Sequence, residues 1–351
     1  MKKLPVVLAV AAVLAGSCTG SGGNAGGAAS PETLTLFTWE GMFPQEILDG
    51  FTKETGIKVN YVNFDYNETM LTRLETGEGY DLVIADDYII ETVIGKGLAA
   101  RLDKSLLGNY GSINPIYQKQ FYDPQDVYTV PYGAGVQTIV YDPSRLNLDI
   151  TGYADLFNPL LKDRLGIIEN YRVINGLALK VLGKSYNTED TADISAAGEK
   201  LLEFAPNIRL IRDDSLENEL LAGEIDGAVM YTSQVTAALL ENPRLKVVFP
   251  KEGIGFGIMA FFIPSGTKNS AAAHSFINHV LDPRRGAECF EFLGYYSTYS
   301  ASDPLIRDEY KPFLTLPAGF NTNMEMIQNI GAEAEEEHSR IWTAFKEAAG
   351  R

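Results

Sequence analysis

The sequence predicts an α/β protein of two lobes with mostly parallel sheets. Strand-like and helix-like segments alternate along most of the chain, which is the pattern of parallel strands joined by right-handed helical crossovers. The chain has 351 residues, a length that suggests about two domains. Hydrophobic residues make up 45% of the chain, which is enough material for packed cores in both lobes.

The first predicted elements have clear boundaries. Thr33–Thr38 reads as a strand. A helix begins at Phe43-Pro44, since proline favours a first helical turn, and it ends near Lys53 because Gly56 follows. The next predicted elements are the strand Ile57–Asn63, a helix from Asn67 (as N-cap) to Glu75, the buried strand Asp81–Ala85 and a helix from about Tyr88 to Lys96.

The second part of the chain repeats this alternation. The predicted strands are Gln137–Tyr141, Leu165–Ile168, Gly227–Tyr231, Leu245–Val248 and Met259–Ile263. The predicted helices are Arg172–Leu182, Ala192–Leu202, Ser215–Ala222, Ala271–Leu281, Gly286–Phe292 and a last helix from about Met324 to Lys346.

Aromatic and acidic side chains follow three of the predicted strands. Ligands of open α/β sheets bind beyond the carboxyl ends of strands. The segments at those ends are Trp39-Glu40-Gly41, Asp86-Asp87-Tyr88 and Met230-Tyr231-Thr232. A ring face attracts a cation and a carboxylate neutralises it, so these segments predict a site for a small organic cation. The second tryptophan, Trp342, lies between Ile341 and Phe345 and is predicted to pack in a core.

The charge balance excludes several classes of function. A net charge of −17 argues against nucleic acid and against electrostatic adhesion to anionic lipid. No nucleophile–base set or metal motif is visible, so the chain is predicted not to be an enzyme and to need no cofactor or metal. The three histidines, His274, His279 and His338, are expected on the surface, and Cys289 is expected to be a buried, inert thiol.

The amino terminus predicts an exported, lipid-anchored protein. Lys2 and Lys3 precede the apolar run from Pro5 to Gly16, which describes a signal peptide and is too short to span a bilayer. The sequence around Cys18 resembles a bacterial lipoprotein cleavage site, so we predict a signal peptide at 1–17 and lipidation of Cys18, within a flexible Gly/Ser-rich linker at 18–32. The alternative is an ordinary signal peptide with a chance cysteine.

A longer resemblance runs over nearly the whole mature chain. The run from Thr35 to Tyr61, with Leu36-Phe37-Thr38-Trp39-Glu40-Gly41 inside it, resembles the start of spermidine/putrescine-binding proteins, the extracytoplasmic receptors of ABC importers. Further matching motifs, in the family's order, are Asn67-Glu68-Thr69-Met70, Tyr80-Asp81-Leu82-Val83, Leu102-Asp103-Lys104-Ser105, Val130-Pro131-Tyr132-Gly133, Tyr153-Ala154-Asp155-Leu156-Phe157, Pro250-Lys251-Glu252-Gly253 and Gly294-Tyr295.

The resemblance implies a two-lobed periplasmic-binding-protein fold that closes on its ligand about a hinge of crossover strands. The crossings are expected near Tyr132–Thr138, Gly255–Pro264 and residue 305. Lobe 1 would then contain 33–135 and 260–305, and lobe 2 would contain 136–259 and 306–351.

The family's ligand residues carry over only in part. Trp39, Tyr88 and Tyr295 match aromatic positions of the family, whereas Glu40 and Asp86 stand at positions of hydroxyl side chains. The departures are Asn170 and Val173 in place of an Asp and a Glu, Met259 in place of an Asp, Gly257 and Met230 in place of tryptophans, with Tyr231 beside Met230. Glu169 lies one residue from the expected acid, so a one-residue shift would restore it.

Together these features predict a solute-binding lipoprotein that captures a polyamine, or a related small organic cation, and delivers it to an ABC permease with its ATPase. We expect it in the periplasm or on the cell surface, as a monomer anchored to a bacterial membrane. The predicted ligand-binding residues are Trp39, Glu40, Asp86, Tyr88, Glu169, Asn170, Tyr231 and Tyr295. The alternatives are ferric ion, held by phenolates of Tyr295-Tyr296, a less charged solute, an enzyme on this scaffold, or a surface adhesin.

Overall fold

A computed structural model describes residues 33–213, 215–314 and 324–350. The predicted signal peptide, Cys18 and the linker lie outside these residues. The strands are β1 (Thr33–Thr38), β2 (Lys58–Asn63), β3 (Leu82–Asp86), β4 (Thr129–Tyr141), β5 (Leu165–Ile167), β6 (Ile208–Ile211), β7 (Gly227–Tyr231), β8 (Lys246–Val248), β9 (Ile254–Phe262) and β10 (Met324–Met326). The helices are α1 (Gln45–Thr55), α2 (Asn67–Glu75), α3 (Asp87–Gly95), α4 (Tyr171–Val181), α5 (Thr191–Phe204), α6 (Leu216–Ala222), α7 (Thr232–Glu241), α8 (Ser270–Val280), α9 (Pro283–Leu293), α10 (Lys311–Leu314) and α11 (Ala332–Ala349).

The strands form two sets of parallel pairs joined by antiparallel crossover strands. The strand order is β2-β1-β3-β9-β4-β7-β5-β6, with β10 on β9 and β8 on β4. The pairs β1–β2, β1–β3, β5–β6 and β5–β7 are parallel, as the alternation of strands and helices predicts. Antiparallel pairs occur where β9 and β4 connect the two sets. The α/β, two-lobed prediction is therefore confirmed.

Each lobe has its own hydrophobic core. In the first lobe the sheet is buried on both faces, because Leu82 and Ile84 of β3 pack into one cluster while Val83 and Ala85 pack into another. The second lobe has a separate cluster that contains β5, β7 and α4 and extends to α11. Trp342, 8% exposed, packs in this second core against Phe345, as predicted.

The long strand β4 is the clearest crossing between the lobes. Its first part, through Val136, pairs with β9 in the first lobe, and its last part, from Gln137, pairs with β7 in the second. Ile254 and Phe256 of β9 already pack in the first-lobe core, before the predicted boundary at 260. Beyond residue 305, Leu314 still packs in the first-lobe core, while Phe313 packs against the second-lobe core. The exact lobe boundaries stay a prediction.

Most of the predicted elements are present in the structure, although β4 and β9 begin several residues before the predicted strands. Met324–Met326 was predicted as helix but forms β10, since its backbone pairs with β9 and the Glu325 carboxylate pairs with Lys180. The last helix therefore starts at Ala332. Asn67 is not an N-cap: it is the first residue of α2, and its amide is used elsewhere. The strand β6 and the helices α7 and α10 were not predicted at all.

The three histidines are buried, so the expectation that they lie on the surface was wrong. His274, His279 and His338 are 2%, 5% and 0% exposed. Each contacts another segment of the chain: the His274 ring accepts from the Asp103 amide, the His279 ring contacts the Ile47 carbonyl and the His338 ring contacts the side-chain amide of Asn175. They therefore tie elements together. Cys289 is a free, buried thiol, as predicted, and burial raises its pKa to about 12.

In the part of the chain that the structure describes, no helix combines the length and the apolar character needed to cross a bilayer.

Candidate functional site

A cleft of about 360 Å³ opens between the lobes, in front of the crossover strands. It is lined by Trp39, Met42, Asp86, Asp87, Tyr88, Gly133, Gly135, Gln137, Asn170, Val173, Tyr231, Phe256, Gly257, Met259, Tyr295 and Ile327. Its floor is formed by β4 and β9, which contribute both glycines and side chains to the lining. An ideal Cβ on Gly135 would lie 2.8 Å from the Tyr295 ring, so only a glycine lets that ring lie against β4.

Polar and aromatic side chains of the cleft walls lie at the ends of three strands. Trp39 follows β1 directly, Asp86 is the last residue of β3, and Tyr231 is the last residue of β7. Parallel strands bring their carboxyl ends to the same edge of a sheet, and the two lobes turn these edges towards each other. Of the eight predicted site residues, the structure brings six to this cleft: Trp39, Asp86, Tyr88, Asn170, Tyr231 and Tyr295.

Asp86 is the carboxylate best placed to receive a cation. Its Oδ2 accepts a hydrogen bond from Asn67 Nδ2 at 2.8 Å. Burial raises the pKa of Asp86 to about 6, the Asn67 hydrogen bond opposes that shift, and the nearby charge of Glu68 adds to it. The ionised carboxylate is thus held in an environment that disfavours it, and a ligand ammonium would relieve this cost.

Asp87, which sequence reasoning did not select, also lines the cleft but has a structural task. Its Oδ1 accepts from the Tyr88 amide at 2.7 Å and its Oδ2 accepts from the Ile258 amide of β9 at 2.9 Å. Burial, and then the charge of Asp86, raise its pKa well above the ordinary range. Asp87 therefore fastens the start of α3 to a crossover strand. Only the tertiary approach of β9 reveals this role, although its position after a buried strand was a usable signal.

Tyr88 is oriented by the same network. Its hydroxyl accepts from Asn67 Nδ2 at 3.0 Å and donates to Glu68 Oε1 at 3.1 Å. Burial and the charges of Asp86 and Glu68 raise its pKa, so it stays a neutral phenol. Asn67, placed at the start of α2, thus holds both Asp86 and Tyr88.

The second-lobe wall is polar but carries no lining carboxylate among the described residues. Asn170 caps α4, since its Oδ1 accepts from the Val173 amide at 3.2 Å, while its Nδ2 donates to the Tyr231 hydroxyl at 3.3 Å. The Gln137 side chain also lines the cleft, and its Oε1 is buried with no hydrogen-bond partner in the described chain. Sequence reasoning missed Gln137 because it read β4 as starting there.

Trp39 and Tyr295 supply the aromatic surfaces. The Trp39 indole is half-buried and packs against Phe64, with ring centroids 4.9 Å apart, while its backbone carbonyl accepts from the Tyr61 hydroxyl. Tyr295 follows α9 and its pKa is raised, first by burial and then by the charges of Asp86 and Asp213. These rings lie on the first-lobe side, where they can contact methylene groups or an ammonium of a ligand.

Glu40 and Glu169 were predicted as ligand residues, but neither lines the cleft. Glu40 is exposed in the turn after Trp39. The Glu169 carboxylate lies 3.1 Å from Lys346 Nζ on an exposed surface. Both residues are next to lining residues in sequence, and neighbouring side chains point in different directions, which is why adjacency misled the prediction.

Most of the positions at which the resemblance replaces a family ligand by an uncharged residue face the cleft. Asn170, Val173, Gly257 and Met259 all line it, yet none carries a charge. Met230 is fully buried in the second core, so Tyr231 takes the place in the cleft. The residues at which this sequence differs from the family's pattern therefore also change the side chains that line the cleft.

The described residues contain no group of three His, Cys, Asp or Glu side chains that could hold a metal ion. Of the adjacent pair Tyr295-Tyr296, Tyr295 lines the cleft, whereas Tyr296 packs in the first-lobe core and is 5% exposed. Two phenolates from this pair therefore do not meet in the cleft.

Comparison with known proteins gives consistent matches over most of the chain. The model of a family described as bacterial extracellular solute-binding protein matches residues 46–311. A spermidine/putrescine-binding periplasmic protein of Salmonella typhimurium is 34% identical over 304 residues, covering 85% of this chain and 86% of that protein. One of Escherichia coli is 32% identical over 329 residues, covering 91% and 93%. The solved spermidine/putrescine ABC transporter substrate-binding protein PotD from Streptococcus pneumoniae has a TM-score of 0.82 at 26% identity, covering 91% of this chain and 99% of that one.

Proposed function

The chain belongs to the family of bacterial extracellular solute-binding proteins, and from that premise we propose that it captures a polyamine for an ABC importer. The observation that carries the proposal is the inter-lobe cleft, whose lining combines the partly buried carboxylate of Asp86 with the rings of Trp39 and Tyr295. Curated relatives at 32–34% identity are spermidine/putrescine-binding periplasmic proteins, which supports the same ligand class.

In this proposal the first lobe holds the ligand first. An ammonium group would pair with Asp86, while the faces of Trp39, Tyr88 and Tyr295 contact the adjacent methylenes. The second lobe then adds Asn170 and Tyr231, and these contacts exist only when the lobes are close. A ligand that binds the closed form more tightly shifts the population towards it. The closed form would be the one that the permease, with its ATPase, recognises. Binding rather than catalysis is the role we assign to the cleft.

The test is a calorimetric titration with spermidine and then putrescine. The mature chain carrying Cys18→Ser, unfolded and refolded to remove bound ligand, is the protein to use. Saturable one-to-one binding at about micromolar affinity or tighter, which corresponds to roughly −8 kcal/mol, is expected. Absence of heat at several temperatures from folded protein would contradict the proposal and would direct the search to uncharged solutes and ferric ion.

Polyamine binding should depend on pH because of Asp86. With its pKa near 6 in the empty protein, the carboxyl is protonated below that pH and must ionise before it can pair with an ammonium. We expect affinity to fall about tenfold from pH 7 to pH 5, since one proton must then be released on binding. The proton uptake or release measured in buffers of different ionisation enthalpy checks this. A pH-independent affinity over this range would contradict it.

The same pKa shift has an opposite consequence for the empty protein. A carboxyl whose folded pKa is raised binds its proton more tightly when folded. Its contribution to stability is therefore complete below about pH 4 and is lost as the pH rises through about 6. At neutral pH, a ligand ammonium beside Asp86 would offset this loss of stability.

We also propose that Cys18 is lipidated and tethers the protein, expected to be a monomer, to a bacterial membrane outside the cytoplasm. The support is the Leu14-to-Cys18 sequence and the linker that follows it. In the producing bacterium, Cys18→Ser should move the protein from the membrane fraction to the soluble extracytoplasmic fraction. Because a buried acyl chain drives association with an apolar phase, the variant should also move from the detergent phase to the aqueous phase in a detergent partition assay. An unchanged distribution would show that the cysteine is not the anchor.

A further inference from the structure

The hydroxyl of Tyr231 is part of a chain of hydrogen bonds that runs from the second-lobe wall to the exposed residue Asp213. It accepts from Asn170 Nδ2 at 3.3 Å and donates to Asp213 Oδ1 at 3.2 Å. Because its proton points to Asp213, the oxygen presents only acceptor capacity to other partners. A hydroxyl that donates to a carboxylate carries more negative charge on its oxygen, and an ammonium is the ligand group that benefits.

Asp213 is held in this place by contacts on both its side chain and its backbone. Its Oδ1 also accepts from the Glu169 amide at 3.1 Å, directly after β5. Its backbone carbonyl accepts a hydrogen bond from the side-chain Nε2 of Gln234 at 3.1 Å. The Oε1 of the Gln234 side chain accepts from the backbone N–H of Tyr231, also at 3.1 Å. The Gln234 side chain therefore connects the backbone of Asp213 to the end of β7 by two hydrogen bonds. Two hydrogen bonds to Oδ1 of Asp213 and one to its backbone carbonyl position this exposed carboxylate.

The charge of Asp213 reaches the cleft. After burial, it is the leading cause of the raised pKa of Tyr231. It also contributes, together with Asp86, to the raised pKa of Tyr295. The Tyr295 phenol thus feels negative charge from Asp86 in the first lobe and from Asp213 in the second. Asp86 lines the cleft and Asp213 is bonded to the lining residue Tyr231, and two carboxylates so placed fit a ligand with two separated positive groups.

Glu169 is a less suitable carboxylate for this role. It does not line the cleft, and it is paired with Lys346 on an exposed surface.

We propose that Asp213, acting through Tyr231, is the second-lobe specificity residue that selects ligands with a second ammonium group. It would replace the carboxylates that Asn170 and Val173 do not supply. The inference rests on the proposed function and narrows it to diamines and longer polyamines. Asp213 is a positioning residue, because its effect is transmitted by the Tyr231 hydroxyl that faces the ligand.

The test compares putrescine with butylamine, which differ only in the second amine. In the mature chain carrying Cys18→Ser, we expect Asp213→Asn to weaken putrescine binding about fivefold, as for a partly exposed ion pair, and to leave butylamine unchanged. Asparagine keeps an acceptor oxygen for Tyr231 and for the Glu169 amide, so the loop should retain its structure. The ratio of the two dissociation constants is the readout, because a purely structural defect would weaken both ligands alike.

Two matched controls each remove one negative charge from the second lobe. Glu169→Gln tests the neighbouring carboxylate and Asp149→Asn tests an exposed acid elsewhere in the second lobe; neither should change the ratio. An unchanged ratio in Asp213→Asn, or an equal loss for both ligands, overturns the inference while the proposed function stands. If the unsubstituted protein binds neither amine, the proposed function itself fails and the inference fails with it.

Discussion

Replacing Asp86 by asparagine is expected to reduce polyamine affinity by about 2–5 kcal/mol, a loss of at least about 30-fold. Asp86 is the lining carboxylate whose oxygens are not both engaged by backbone amides, in contrast to Asp87, and it lies where β3 ends in the cleft. Without its charge, an ammonium in the cleft would be desolvated with no opposite charge beside it. Calorimetric titration with putrescine at pH 7 measures the loss.

Glu40→Gln is the matched control for this prediction. It removes the same charge from the same lobe, but at an exposed turn outside the cleft, so its effect on affinity should be within about twofold, as for a screened surface charge. Asp86→Asn should also abolish the pH dependence between pH 5 and 7. If Glu40→Gln weakens binding as much as Asp86→Asn, the ligand is bound through overall negative potential and Asp86 is not its anchor.

The two tryptophans should separate affinity from stability. Trp39→Ala is expected to weaken polyamine binding by about 2 kcal/mol, as for an aromatic residue at the centre of a binding site, with little change in stability. Trp342→Ala should lower the free energy of unfolding by about 3–5 kcal/mol, because it empties a core position against Phe345, and should leave affinity nearly unchanged. Urea denaturation and titration of both variants give the four values.

Two results would contradict the assignment of Trp39 to the ligand site and of Trp342 to the core. Equal effects of the two substitutions on affinity would remove Trp39 from the site. A loss of stability in Trp39→Ala as large as that in Trp342→Ala would mean that the contact of Trp39 with Phe64 is core packing and not support for a ligand-facing ring.

Most of the architecture could be predicted from the sequence because its signals are local. Periodicity and glycine or proline positions located β1, α1, β3 and β7 to within a few residues. Where prediction was wrong, a distant partner decided the outcome. Met324–Met326 has helical propensity, but it becomes a strand because β9 offers a free edge there. The histidines carry no local sign of burial, and only packing shows that they hydrogen-bond to other segments.

The candidate site shows the same division. The strand-end rule led to Trp39, Asp86, Tyr88 and Tyr231, since each follows or ends a strand that the sequence reveals. The rule also led to Glu40, and the resemblance led to Glu169, but neither lines the cleft. The direction of a side chain next to a strand end depends on the local backbone and on partners such as Lys346. The rule missed Asp213, whose relation to the cleft exists only through the hydroxyl of Tyr231.

The sequence alone therefore decides the fold class, the order of the elements and the aromatic and acidic character of the strand ends, because hydrophobic periodicity and turn residues act within a few positions of the chain. It also carries the resemblance that names the family. Which carboxylate is buried, which is paired on the surface and which acts through a neighbour is decided only in the folded molecule. Desolvation and hydrogen bonding depend on residues that are far apart in sequence. They give acidic residues that look alike in the sequence different pKa values and different partners.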